Sequence, residues 1–112
     1  MVILCQVQPG FTRALKFSKQ NLFYQVETLI FGDAVQRALE PERFIIGCDS
    51  PQQSLPQIYH NFLLKFNCQI FQMAYESAEL AKISINMYLV ASVTVTNTLA
   101  EICENIGANW ED

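Results

Sequence analysis

Charge is what this sequence lacks most. Lys, Arg, Asp and Glu supply only 16% of its 112 residues, while 51% are hydrophobic, against roughly a quarter charged in an ordinary soluble domain. So much apolar surface on one modest domain implies that part of its outside is covered by something else. No basic run exists: Arg13, Lys16, Lys19, Arg37, Arg43, Lys65 and Lys82 are scattered, and the net charge is −4. A phosphate-backbone binder normally carries a basic patch, so nucleic acid is excluded as a partner. Histidine is almost absent as well. His60 stands alone, and Cys5, Cys48, Cys68 and Cys103 show no CxxC spacing, so no metal site is expected. The four thiols read as buried, free side chains of a reducing cytoplasm. One histidine in an apolar helix supports no Ser–His–Asp or Cys–His pair. There is no Gly-x-Gly-x-x-Gly and no phosphate-binding loop. Met1-Val2-Ile3-Leu4 is too short an apolar start, without basic residues, to read as a secretory signal.

What is present is organised around one stretch, Glu76 to Gly107. It is the longest segment without proline or internal glycine, and no ionised side chain lies between Lys82 and Glu101. Glu76 and Glu79 sit where a helix dipole favours carboxylates, and Gly107 suits the left-handed residue that ends a helix. The predicted helix is about 45 Å long at 1.5 Å per residue. Such a helix crosses between packed bodies or meets a partner chain. Ile83 to Ala100 approaches the length of a membrane span. Seven of those residues are Ser, Thr or Asn, and no basic cluster flanks them, so a soluble, buried or dimer-forming helix is preferred and no membrane partner is expected.

Upstream the pattern is short strands and short helices. Val2 to Val7 reads as a buried strand, and because a domain rarely opens on an interior strand, further chain is expected before it. Gln8-Pro9-Gly10 is a turn, and Thr12 to Lys19 a short helix. Leu22 to Val26 is a second strand. Asp33 caps a short helix whose apolar side is Ala34, Val35, Ala38 and Leu39, stopped by Pro41. Arg43 to Cys48 is a third strand. Asp49-Ser50-Pro51 reads as a helix start, settling after Pro56 into a face of Ile58, Tyr59, Phe62, Leu63 and Phe66. Gln69 to Met73 is a fourth strand, followed directly by the long helix. This order specifies an α/β fold, a sheet covered by helices, with one boundary near Tyr75.

Chemistry is sparse. Glu79, Lys82 and Asn86 are spaced i, i+3, i+7 on one helix face, with Asn97 eleven residues further on. The simpler reading is a solvated stripe with a weak Glu79–Lys82 pair. The other is that Lys82 supplies positive charge, and Asn86 an amide, to an oxyanion or a water. Gln8-Pro9-Gly10 is either a plain turn or a ligand-facing one, since ligands of α/β sheets sit at the carboxyl ends of strands. His60 reads as a partly buried surface residue.

The order of segments resembles the middle of the UDP-glucose/GDP-mannose dehydrogenase family. VILCQVQPGFTRAL is similar to that family's strand and turn, Ser-Thr-Val-Pro-Pro-Gly-Thr-Thr. QVETLIFGDAVQRALEPERFIIGCD is similar to its Asn-Pro-Glu-Phe-Leu-Arg-Glu-Gly segment and the strand that follows. ESAELAKISINMYLVASVTVTNTLAEICENIGANW resembles the start of its central helical domain. The resemblance implies a partial Rossmann-like sheet with short helices, residues 1–75, ending a dinucleotide-binding domain. Residues 76–112 would be the long helix that begins the central dimerisation domain. It implies an NAD-dependent oxidation of a UDP-glucose-like or GDP-mannose-like sugar to its uronate. Lys82 and Asn86 would be catalytic, with Lys82 stabilising negative charge on the substrate oxygen, and Glu27 and Leu29 would line the nucleotide-sugar site.

The departures are specific. Gln6 follows Cys5 where the family has Thr after Ser, Phe31 replaces a carboxylate, and Val26 and Thr28 replace Pro and Phe. The family's glycine-rich NAD⁺ turn lies upstream of the matched region and its catalytic cysteine downstream; none of the four cysteines here takes that place, and Cys103 reads as a core residue. The implied chain is a fragment that binds no NAD⁺ alone and has no turnover. The alternative is a non-catalytic interaction module. On either reading the long helix would form a homodimer.

Overall fold

A computed structural model describes residues 1–27 and 32–109. It divides into two compact units, Met1–Lys82 and Ile83–Asp112. The first unit is built on a four-stranded sheet in the order β1 (Val2–Ile3), β2 (Phe23–Val26), β3 (Arg43–Cys48), β4 (Gln69–Ala74). β1 runs parallel to β2, β2 antiparallel to β3, and β3 parallel to β4 through six paired residues. The connections are α1 (Phe11–Ala14), a 3₁₀ turn (Lys19–Asn21), α2 (Ala34–Leu39) and α3 (Gln57–Leu64), and β4 runs straight into α4 (Tyr75–Ile106). This is the α/β architecture that the segment order specifies.

The two-residue period of the strands sorts their side chains onto two apolar layers. Tyr24 and Val26 join Leu22, Tyr75 and Ala78 on one face, with Ile3, Leu15, Ile45 and Met73 around them. Phe23, Phe44, Ile46 and Cys48 join Leu63 on the other, with Tyr59 and Phe66 of the α3 segment. Every residue of β2 is buried, Gln25 among them, so its sequence shows no alternation of apolar and charged residues. Aromatic rings lock the second layer: Phe44 meets Phe66 edge-on at 5.3 Å, and Phe23 meets Tyr59 at 5.6 Å.

Several local expectations differ from what forms. β1 is two residues long and sits at the sheet edge with Val2 exposed, because Gln6, Gln8 and Pro9 offer nothing to bury and proline cannot donate to a ladder. The helix expected over Thr12 to Lys19 stops at Ala14. The apolar side expected of α2 is largely exposed, Val35 at 74% and Leu39 at 64%, with Ala34 half-buried. Asp49-Ser50-Pro51 forms a turn, and α3 starts only after Pro56. On α3 the expected single face splits. Tyr59 and Leu63 face the sheet, while Ile58 is 87% exposed and Phe62 51%. Of the four thiols only Cys48 is buried, and Cys5 is exposed.

The first turns of α4 lie unusually close to the sheet. A Cβ on Gly47 of β3 would stand 2.9 Å from Ala78 Cβ, 3.1 Å from Tyr24 Cβ and 3.2 Å from Tyr75 Cα. Glycine is required there because the helix backbone occupies the space of a side chain.

In the second unit α4 runs to Ile106, and Gly107 follows at φ 74°. The Ala108 amide reaches back to the Cys103 carbonyl at 3.0 Å, closing the helix as glycine-terminated helices close. Three of its hydroxyls are satisfied along the helix itself. Ser92 donates to Tyr88 O at 2.8 Å, Thr94 to Val90 O at 2.9 Å and Thr98 to Thr94 O at 2.9 Å. Met87, Tyr88, Leu89 and Val90 are each more than 60% exposed, and the polar Asn86, Thr96 and Asn97 are exposed beside them. By length and composition alone this helix could also cross a membrane.

Gly47→Ala should destabilise the first unit by about 1–3 kcal/mol, the usual cost of forcing an extra carbon into a filled site. Urea unfolding followed by far-ultraviolet circular dichroism measures it; an unchanged midpoint would contradict the close seat of α4 on β3.

Candidate functional site

The inward stripe of the first turns of α4 is Tyr75, Ala78, Glu79 and Lys82, at i, i+3, i+4 and i+7. Tyr75, Ala78 and Glu79 are each 0% exposed, and Lys82 is half-buried. Glu79 therefore sits in the middle of an apolar stripe, and its carboxylate must be satisfied there. The partners come from the turn after β1. Gly10 N–H donates to Glu79 Oε2 at 2.6 Å and Thr12 N–H to Oε1 at 2.8 Å. α1 has four residues, so its leading amides have no acceptor within the helix. Gly10, its N-cap at φ 92°, has no side chain to offer. A distant carboxylate takes that place, in charge-assisted bonds. At the other end of α1 the Lys19 ammonium donates to the carbonyls of Thr12 (3.3 Å), Arg13 and Leu15 (2.8 Å). A four-residue helix thus has a negative group at its positive end and a positive group at its negative end.

Lys82 reaches the strand beside β1. Its Nζ donates to the backbone carbonyl of Glu27, directly after β2, at 2.7 Å. The Glu27 carboxylate turns elsewhere, accepting Gln25 Nε2 at 2.6 Å, while Gln25 Oε1 accepts the Tyr59 hydroxyl at 2.7 Å. Burial pushes the Tyr59 phenol well above its ordinary range, so it remains a donor in this chain of bonds. Lys82 Nζ carries three N–H groups, and a neutral carbonyl, not a carboxylate, holds it.

A third set of contacts binds the helix start to two strand ends. Arg13 donates to both oxygens of Glu76, to Asp49 Oδ1 at 2.6 Å and to Asp49 O at 3.3 Å, with its guanidinium 5.3 Å from the Tyr75 ring centre. The hydrogen bonds from Arg13 hold the Glu76 carboxyl below its ordinary range. Burial pushes the Tyr75 phenol up to about 12, and its hydroxyl donates to Leu22 O at 2.8 Å.

The sequence-derived candidates fare unequally. Lys82 and Glu27, 55 positions apart, are brought into contact. Asn86 lies one turn beyond Lys82 on α4 and is exposed. Leu29 lies outside the described residues, as do Thr28 and Phe31. The solvated Glu79–Lys82 stripe is corrected: Glu79 is buried against the Gly10–Thr12 turn and Lys82 points to Glu27. That role of Glu79 was missed, although the i, i+3, i+4, i+7 run through Tyr75 and Ala78 places it on the buried face. Gln8-Pro9-Gly10 is a turn pinned to α4. Among the described residues no cluster of three potential metal ligands occurs.

The chain is similar to known proteins in sequence and in fold. The family model described as the UDP-glucose/GDP-mannose dehydrogenase family, central domain, matches residues 76–112. The UDP-glucose 6-dehydrogenases of Rickettsia prowazekii and Rickettsia typhi are 30% and 28% identical to the chain, covering all of it. In each case the chain spans 27% of the relative's length. Among solved structures, a ternary complex of GDP-mannose dehydrogenase from Pseudomonas aeruginosa superimposes with a TM-score of 0.78. That match is 18% identical and covers 98% of this chain and 28% of the other, so it speaks to the fold.

The depressed Glu76 carboxyl makes the Arg13 contacts pH-dependent. A carboxyl lowered on folding contributes stability above its unfolded value of 4.5 that is lost as pH falls through the lower folded value. Both groups are about two-fifths exposed, so the contribution is at most about 1 kcal/mol. Arg13→Met should cost its full stability near neutral pH, and the difference should close as the medium is acidified below 4.5. Urea unfolding of both proteins across that range checks this; a pH-independent difference would remove the carboxylate from the account.

Proposed function

We propose, because the chain belongs to the UDP-glucose/GDP-mannose dehydrogenase family, that it is one working part of a nucleotide-sugar 6-dehydrogenase. Residues 1–75 would close the dinucleotide-binding domain, and residues 76–112 would begin the central dimerisation domain. The observation that carries the reading is the 2.7 Å bond from Lys82 Nζ to the Glu27 carbonyl. It joins two positions that the family pattern assigns separately, one to the reacting sugar carbon and one to the sugar-lining segment.

On this reading the Lys82 ammonium faces the substrate oxygen and stabilises its developing negative charge. The Asn86 amide, one turn on, holds the reacting group, and Glu27 and Leu29 line the sugar. The ammonium has donors beyond the one spent on Glu27 O, and among the described residues no carboxylate pairs with it, so it is available to an oxyanion. NAD⁺ is the family's oxidant, but this chain's residues do not fit it. Its four glycines, Gly10, Gly32, Gly47 and Gly107, lie in separate segments and form no pyrophosphate-cradling turn. Gln6 brings no hydroxyl to the turn after β1. The chain alone therefore binds no NAD⁺ and turns over no sugar.

A second reading, association of two copies through α4, is favoured by the many exposed apolar residues of that helix and by the hydroxyls of Ser92, Thr94 and Thr98, which bond back along it. Apolar surface so extensive is rare on a free monomer. The two readings are compatible, and nucleotide-sugar titration separates them: an interaction module has no affinity for the sugar.

Mixing the purified chain with UDP-glucose and NAD⁺ should give no NADH absorbance, and clear turnover would overturn its assignment as a part. In sedimentation at low micromolar concentration the chain should travel as a dimer; a clean monomer would remove the second reading.

A further inference from the structure

We infer that Glu79 is the positioning residue for Lys82: its buried carboxylate fixes the roll of α4 and so delivers the lysine ammonium to the end of β2. The importance of that delivery for chemistry rests on the reading of Lys82 given above, but the geometry stands apart from it. The first turn of α4 has several anchors. Tyr75 donates to Leu22 O, Glu76 is gripped by Arg13, and Ala78 lies against Gly47. In the second turn Glu79 grips the turn after β1 through two backbone bonds, three residues before Lys82.

The two side chains reach different strand ends. Glu79 holds Gly10 and Thr12, beyond β1, and Lys82 holds Glu27, beyond β2. β1 and β2 are parallel neighbours, with Val2 beside Phe23 and Ile3 beside Tyr24. Residues i and i+3 share a helix face. A helix fixed in roll by Glu79 against the first strand end therefore presents Lys82 to the second. A lysine stem has four rotatable carbons and, left alone, populates many positions. Its single short bond to a backbone carbonyl localises it only if the helix beneath it does not turn. The grip is specific to a carboxylate, since both oxygens accept from backbone N–H. An amide in that place offers one acceptor and turns an NH₂ group against the second N–H.

The test uses the 112-residue chain, isotope-labelled for nuclear magnetic resonance, with three readouts: amide exchange at Gly10 and Thr12, proton exchange at Lys82 Nζ, and urea unfolding. Glu79→Gln should fold, lose about tenfold in protection at Gly10 or Thr12, the loss of one hydrogen bond's worth of stabilisation, and lose the slow-exchanging Nζ signal of Lys82. Lys82→Met should leave the protection of Gly10 and Thr12 unchanged, since the dependence runs from Glu79 to Lys82. A purely bracing carboxylate would lower the unfolding midpoint and leave the Nζ signal of the folded protein as it is, and that result would overturn the inference. So would unchanged amide protection in Glu79→Gln, or lost protection in Lys82→Met. If Glu79→Gln does not fold, Glu79→Asp, which keeps the charge on a shorter stem, is read the same way. Failure of both to fold would make Glu79 a folding requirement and overturn the positioning role. No sugar nucleotide enters the measurement, so a negative result leaves the catalytic reading of Lys82 standing, and failure of that reading leaves this one intact.

Discussion

The direct seat of a helix backbone on a strand, where Gly47 leaves room for Ala78 and Tyr75, is the constraint on which the first unit depends. Without a side chain between them, α4 sits close enough for short polar reaches to become possible. Tyr75 can hydrogen-bond Leu22, Glu79 can enter the turn after β1, and Lys82 can touch the end of β2. A helix held further off by even a methyl layer would leave the Glu79 carboxylate buried without partners, a strongly unfavourable state. Close packing here is what makes a buried charge tolerable.

How much of this was legible in the sequence depends on the range of the cause. The bounds of α4 were plain because their signals are local: carboxylates at the start, an uncharged middle, a glycine at the end. The strands around Phe44 and Ile70 were plain because β-branched and aromatic runs admit few other readings. α1 was not, since a stretch of this composition extends or stops according to what caps it, and its caps are Glu79 and Lys19. The split face of α3 was hidden for a similar reason. Ile58 and Phe62 are as apolar as Tyr59 and Leu63, and only the seating of the helix on the sheet separates the covered pair from the exposed one. Lys82 and Glu27 are singled out separately by resemblance to a family pattern, but their contact across 55 positions has no local signal, and spacing on the helix by itself favours a solvated stripe. The position of Glu79 was available from periodicity, but a carboxylate in a buried stripe was read by its charge instead of its place.

The middle of α4 illustrates how composition misleads about surface. Its serines and threonines suggest a helix too polar to be covered completely. Where Ser92, Thr94 and Thr98 bond their hydroxyls to carbonyls one turn back, those positions turn mainly methyl and methylene outward. Threonine so bonded presents a surface close to that of valine. The two units of the chain have different needs: a sheet-bearing unit whose buried polar groups are bonded internally, and a helix with many apolar groups facing outward.

The pinning of α1 at both ends has a kinetic consequence. A four-residue helix is far below the length at which helices persist by themselves, and its N-terminal partner is 67 to 69 residues away along the chain. The turn after β1 therefore cannot acquire its final shape until almost the whole first unit has been synthesised and the start of α4 has docked. Contacts of such long sequence separation close late. The strand end beside the proposed site is thus among the last pieces of the unit to assemble and, by the same logic, among the first to open.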